Sequence, residues 1–167
     1  MYNMSSSASP AWNNTRIQNY DDKVLLARLD QYFNAFVSAD AQGLESIMAD
    51  DYHMTDIPLG VTRSPKKAWL QQNSGFSDLL TNLSVEAISL YGSSEPGSFS
   101  VMEHVVWFTL KDDPPESAKP NLPPGIKKGD SSGMINISLM WWNSDGKVTR
   151  ELEYGRILWD GFDINAF

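Results

Sequence analysis

The chain contains no cysteine, which excludes a disulfide framework, a thiolate metal site and a cysteine nucleophile. Histidine is scarce: His53 and His104 are the two present, and no His-x-His or His-Glu-x-x-His spacing exists from which a metal centre would be read. No metal and no other cofactor is expected. Positive charge is also short, since 13 Lys and Arg against 21 Asp and Glu leave a net charge of -8. That balance disfavours a phosphate backbone as ligand, so no nucleic-acid partner is expected. No apolar run approaches the ~20 residues of a membrane-spanning helix. The opening MYNMSSSASPAWNN has neither a charged leader nor an apolar core, so a soluble, cytoplasmic protein with no membrane partner is expected. A Gly-rich phosphate loop, a nucleophile elbow and a dinucleotide fingerprint are all missing.

What is present fits one compact domain, because 167 residues at 41% hydrophobic content bury a core without room for a second. Residues 1–20 read as a flexible polar arm and residues 21–167 as the domain. Apolar residues recur at three- and four-residue steps through Leu26, Leu29, Phe33, Phe36 and Val37, which predicts a helix from Asp21 to Ser38. Asp40 is placed to cap a second helix from Ala41 to Met48. After Asp50-Asp51 the period changes to two, so Tyr52, Met54 and Asp56 share one face of a strand ended by Pro58 and Gly60. Ser64-Pro65 is the expected cap and first turn of a third helix reaching Asn73, with Trp69 and Leu70 inward. Strands are expected at Leu83–Tyr91, Phe99–Lys111, Gly133–Asn143 and Lys147–Trp159, the last two joined by the turn Asn143–Gly146. Helices first and a long meander afterwards make the class α+β. The stretch 112–132, DDPPESAKPNLPPGIKKGDSS, is too rich in Pro, Gly and charge for the sheet and reads as a long loop: a lid, a partner arm or a disordered segment.

The run from Tyr32 to Asp51 resembles, without a gap, the start of bacterial ketosteroid isomerases. That resemblance implies the cone-shaped nuclear transport factor 2-like fold, also called SnoaL-like or cystatin-like. Its helices pack inside a strongly curved, mixed but mostly antiparallel sheet. It further implies that Tyr32 donates to an oxyanion and Asp56 shuttles a proton, while the position where the family keeps a protonated late-strand acid is Ser138. At the other end, DGKVTRELEYGRILWDGFDI, covering Asp145 to Ile164, is similar to fungal scytalone dehydratases in length and in its closing Trp-x-x-Phe-Asp pattern. Those share the fold and eliminate water with histidine as acid and base, which points to His104 and to secondary-metabolite chemistry.

Strand parity sorts the later residues. Met102, His104, Val106 and Phe108 lie together on one strand, and Met134, Asn136, Ser138, Met140 and Trp142 on the next; the resemblance turns both rows toward the cavity. Ile135, Ile137, Leu139 and Trp141 take the opposite face beside Leu152, Tyr154 and Leu158. That convex patch is explained by a homodimer, or by a covering from the N-terminal arm or the long loop. Glu151 and Glu153 fall on the cavity side of the last strand. Each is either buried, and so an acid of raised pKa, or solvated and paired with Arg150, Arg156 or Arg63; the second reading is preferred for Glu151.

The expected function is therefore cofactor-independent acid/base catalysis, an isomerisation, cyclisation or dehydration of a small hydrophobic carbonyl- or hydroxyl-bearing substrate. Asp56, His104, Tyr32 and Glu153 are the candidate catalytic residues. Trp69, Met102, Met134, Asn136, Ser138, Met140, Trp142 and Glu151 are the candidate substrate contacts. Two alternatives stay open. One is an epoxide hydrolase of the same fold, which uses an Asp-Arg-Asp arrangement. The other is a non-catalytic ligand- or protein-binding module, in which Asp56 caps its turn and Tyr32 and His104 are ordinary core.

Overall fold

Asp22 begins the first helix, its carboxylate accepting the Leu25 amide at 2.9 Å, and Ala39 ends it by turning to a φ of 54°. The computed structural model describes residues 12–116, 119 and 122–167. In chain order the elements are β1 (Trp12–Asn13), α1 (Lys23–Val37), α2 (Ala41–Ile47), β2 (Met48–Asp56), β3 (Val61–Pro65), α3 (Lys66–Leu79), β4 (Leu80–Gly92), β5 (Phe99–Leu110), β6 (Ser131–Trp142) and β7 (Val148–Ile157), before a short 3-10 turn at Ile164–Ala166. Asp40 caps α2 through the Gly43 amide at 3.0 Å, as its sequence position predicts.

The strands form one seven-stranded sheet in the order β1-β4-β5-β6-β7-β2-β3. Pairing is antiparallel except where β1 joins β4 and β2 joins β7. β2 and β4 stand far apart in that order, yet α3 touches both, so the sheet curls around the helices. Its inner face and α1 bury the main core, including Leu25, Leu29, Phe33, Met48, Met102 and Met140.

Four expectations change. The segment from Trp12 to Tyr20 is no frayed arm. Trp12 pairs with β4, stacks on Phe33 at 4.7 Å and donates its indole N–H to Asp30 at 2.7 Å, because an indole and the nearby Ile17 bury too much apolar area to stay in water. Residues 1–11 of that arm lie outside the described residues. Residues Val61–Pro65 pair with β2 as a strand, and α3 starts at Lys66 with Pro65 in the cap position and no side-chain cap bond, so Ser64 is not its cap. α3 then runs beyond Asn73 to Leu79, because Phe76 packs on Trp69 and Phe36 and tertiary contact overrides the poor propensity of the Ser and Gly around it. On the outer face, Ile88, Val105, Leu158 and Phe162 form a second buried cluster. The C-terminal turn therefore covers part of the convex patch, leaving Ile137 and the cross-strand Tyr154 exposed.

Candidate active site

Between α1, α3, the sheet and the long loop lies a cavity of about 230 Å³. Its wall is mostly apolar, with rings from Phe33, Phe36, Trp69 and Phe76, and Asp112, Asp113, Pro114, Pro115 and Leu122 from the long loop lie across it. That loop is pinned at its base, where the Lys128 amide donates to Asp113 and the Gly129 amide to the Leu110 carbonyl, both at 2.9 Å. The volume falls below the ~300–1,000 Å³ of common ligand pockets, so the space suits a compact molecule.

The polar groups of the wall come from strands that parity aims inward. Asp56 ends β2 and stands in register with Glu153 on the parallel β7, while Met54 stands opposite Glu151. Three carboxyls from the sheet, Asp56, Glu151 and Glu153, thus join Asp112 and Asp113 of the loop in lining one cavity, and no described Lys or Arg lines it with them. Glu151 is buried, and both the Tyr32 and Tyr52 hydroxyls donate to its Oε2, at 2.6 and 2.8 Å. Burial pushes Glu151 up to about 7 while those two bonds pull it down. The reading in which Glu151 is solvated or paired with an arginine is therefore corrected: its partners are tyrosines, and Tyr52 is the partner that sequence reasoning left unassigned, although it shares the strand face of Asp56.

Desolvation, then the neighbouring Asp56 and Glu151, raises Glu153 well above the usual carboxylate range, against one bond from the Ser138 hydroxyl at 3.0 Å. Asp56 is raised less, by desolvation, and its Oδ1 accepts the Leu59 amide at 2.9 Å. A backbone N–H favours the charged form, and two adjacent carboxyls resist ionising together. Of the two, Glu153 is the one favoured to keep a proton and Asp56 the one favoured to carry the charge. Asp56 both caps its turn and lines the cavity, so the two readings of it coexist.

His104 lies across from Asn136 in the sheet register and also lines the cavity. Burial drives its pKa down to about 4, and Nδ1 reaches only the Met102 carbonyl, at 3.4 Å; at neutral pH it is an uncharged imidazole. Asn136 is buried, and its Oδ1 has no hydrogen-bond partner. Gly155 opposite makes its position possible, because a Cβ there would collide with that amide oxygen. Trp69 Nε1, on the facing wall, neighbours the Tyr32 hydroxyl without closing a hydrogen bond.

Of the expected contacts, Tyr32, Asp56, Trp69, His104, Met134, Asn136, Glu151 and Glu153 line the cavity. Met102, Met140, Trp142 and Ser138 do not. Met102, Met140 and Trp142 belong to the filled core, where the Trp142 indole donates to Ser100 Oγ at 3.1 Å, and Ser138 stands behind Glu153. Among the described residues no cluster of three or more His, Cys, Asp or Glu is placed to hold a metal ion, and no helix is long and apolar enough to cross a membrane.

No family model and no curated protein matches the sequence. Solved structures match its fold. IdmH of Streptomyces antibioticus, described as a candidate polyketide cyclase, superposes with a TM-score of 0.59 at 14% identity, over 78% of this chain and 90% of that one. A Catenulispora acidiphila protein with a ketosteroid isomerase-like fold, solved with trimethylamine, gives 0.56 at 15%, over 76% and 83%. An epoxide hydrolase of Mycobacterium tuberculosis gives 0.57 at 10%, over 80% and 84%. Identities this low speak to architecture alone, and the architecture is the α+β, nuclear transport factor 2-like fold that the sequence led us to expect.

Proposed function

We propose that the protein is a cofactor-independent enzyme that moves protons on a compact, hydrophobic carbonyl- or hydroxyl-bearing substrate, in an isomerisation, cyclisation or dehydration. The observation that carries this reading is the set of three carboxyls from β2 and β7 with unequal environments in one mostly apolar cavity that no described Lys or Arg lines. Environments that push neighbouring acids apart supply a base and an acid at the same pH.

In this reading Asp56 is the ionised base and takes a proton alpha to the substrate carbonyl. Glu153, holding its proton, is the acid that returns one, or protonates a departing hydroxyl. Tyr32 gives its one hydroxyl proton to Glu151, so it turns to stabilise charge on the substrate oxygen when Glu151 is protonated and donates to the Tyr32 oxygen in return; a well-placed donor of that kind is worth ~3 kcal/mol. His104 and Asn136 orient the substrate as neutral hydrogen-bonding groups. The structural likeness to a candidate polyketide cyclase agrees with a place in secondary metabolism. The epoxide-hydrolase alternative needs an arginine between two acids, and no described arginine lines the cavity. For the exposed Ile137 and Tyr154 strip, a second copy of the chain is the partner we favour; sedimentation of the wild type beside Tyr154→Arg tests it.

The mechanism is tested by incubating the protein with small cyclic ketones in D2O and reading deuterium at the alpha carbon by mass spectrometry. Asp56→Asn should lose about 10²- to 10⁴-fold of the exchange rate while keeping the fold. A fully active Asp56→Asn enzyme removes the mechanism.

A further inference from the structure

The sequence offers Arg156 as a partner for the glutamates of β7, and the structure pairs it with neither. Glu151 is held by two tyrosines and Glu153 by Ser138, and no ion pair among the described residues includes Arg156. Its guanidinium lies over the Trp159 ring instead, 4.8 Å from the centroid. Such stacking fixes the plane of the guanidinium and leaves its N–H edge free for a planar anion. Both side chains line a groove of about 600 Å³, together with Pro58, Pro123, Pro124 and Asp160. The groove adjoins the inner cavity: Leu122 and Met134 border both, and Gly155, on the groove side, stands in register with Asn136, on the cavity side. The cavity alone is smaller than common ligand pockets, whereas the groove lies within their range. Charge divides between the two spaces. Asp56, Glu151, Glu153, Asp112 and Asp113 line the cavity with no described Lys or Arg, and Arg156 is the one described Lys or Arg in the groove.

From this we infer that the substrate is a keto or hydroxy acid: its reacting carbonyl or hydroxyl end enters the cavity, and a carboxylate on a short chain stays outside, held by the Arg156 guanidinium in the groove. The inference rests on the reading of the cavity as the reaction site, and adds the substrate's class and a residue that sets specificity. The overall charge works against it, because a net charge of -8 repels an anion. A preference for the acid over a neutral analogue therefore reports a local cation and nothing more general.

The test compares 3-(2-oxocyclohexyl)propanoate with its neutral amide, 3-(2-oxocyclohexyl)propanamide. Each is titrated into the full chain at about 0.15 M salt, with backbone amide and indole NMR shifts giving Kd and the binding location. The acid should bind at least about tenfold tighter, with shifts both at His104 and Asn136 of the cavity and at Gly155, Ile157 and the Trp159 indole of the groove. In Arg156→Gln the acid should bind no tighter than the amide. In Arg150→Gln, which removes the same charge from a side chain stacked on Trp141 outside the groove, the preference should persist. Equal binding of acid and amide to the wild type, or a preference that survives in Arg156→Gln or disappears as fully in Arg150→Gln, overturns the inference and leaves the acid/base reading standing. Shifts confined to the groove also overturn it, since the anion site would then not serve the cavity. If the acid binds across both spaces but its alpha carbon takes up no deuterium, the acid/base reading falls and the ligand class stands. If neither compound shifts either set of residues, both fall together.

Discussion

The inner face of β5, β6 and β7 behaves as two different materials along its length. At one end Met102, Met140 and Trp142 are at most 2% exposed, and their one polar group, the Trp142 indole, has its partner in Ser100. A few residues along the same strands, His104, Asn136, Glu151 and Glu153 face open space, and polar capacity is left over. Close packing and satisfied hydrogen bonds stabilise a fold. Where packing is open and hydrogen-bonding capacity is left over, polar groups stay available for a ligand. The contrast separates the filled end of the sheet from the end that borders the cavity, on which the proposed function rests.

Substitutions should fall on the two sides of that contrast unequally. Met140→Ala in the filled end should cost about 2–5 kcal/mol of stability in denaturant melts, whereas Met134→Ala, whose side chain already borders the cavity, should cost about 1 kcal/mol or less, because its site holds little to collapse. Equal losses would erase the distinction.

The next effect is on pH. Glu151, raised from 4.5 to about 7, binds its proton more tightly folded than unfolded, so its contribution is full below pH 4.5 and is lost as pH climbs through 7. It is worth up to about 3 kcal/mol. Asp56 and Glu153 act in the same sense. His104, lowered from 6.5 to about 4, acts in the other: its contribution is present above 6.5 and fades toward 4. Melts at pH 5 and pH 7 should show the wild type weaker at pH 7, with Glu151→Gln removing much of that difference. An equally steep decline in the variant would contradict the assignment.

Smaller still, Tyr52→Phe removes one of two donors to Glu151, so it should raise the carboxyl's pKa further and cost roughly 1–3 kcal/mol above pH 7, read from melts at pH 8. The least effect is expected of Lys128→Ala, which breaks an exposed ion pair with Asp112 at 2.8 Å. The melting temperature should not move, since the backbone bonds of Lys128 and Gly129 still pin the loop.

Much of this was legible in the chain. The 3.6-residue spacing of Leu26, Leu29 and Phe33 yielded α1, and the two-residue spacing of Tyr52, Met54 and Asp56 yielded β2 and the face on which they are buried. Parity grouped His104 and Asn136 with their strand neighbours and set Glu151 with Glu153, and the resemblance turned the His104 and Asn136 rows inward. It carried no information on which inward positions meet a void, because that depends on how far α1 and α3 reach along the sheet; hence Met102, Met140 and Trp142 read as ligand contacts and prove to be core. β1 was missed because Trp12 lies in a Ser- and Asn-rich stretch whose composition outweighed one indole. The partners of Glu151 were missed because they sit 119 and 99 residues away in sequence. The one signal for them was that Tyr52 shares Asp56's face. Gly155 reads as a plain strand glycine until Asn136 is seen filling the space a side chain would take.

The account depends on buried carboxyls that hold protons near neutral pH, and a carbon-detected NMR titration of the Asp and Glu side chains measures this directly. The account predicts that Glu151 titrates near 7, that Glu153 titrates well above the ordinary range, and that Asp56→Asn lowers the value at Glu153 by removing its neighbouring charge. Ordinary values of about 3.5–4.2 at all three positions would mean that the carboxyls are solvated, and the proposed division into base and acid would be contradicted.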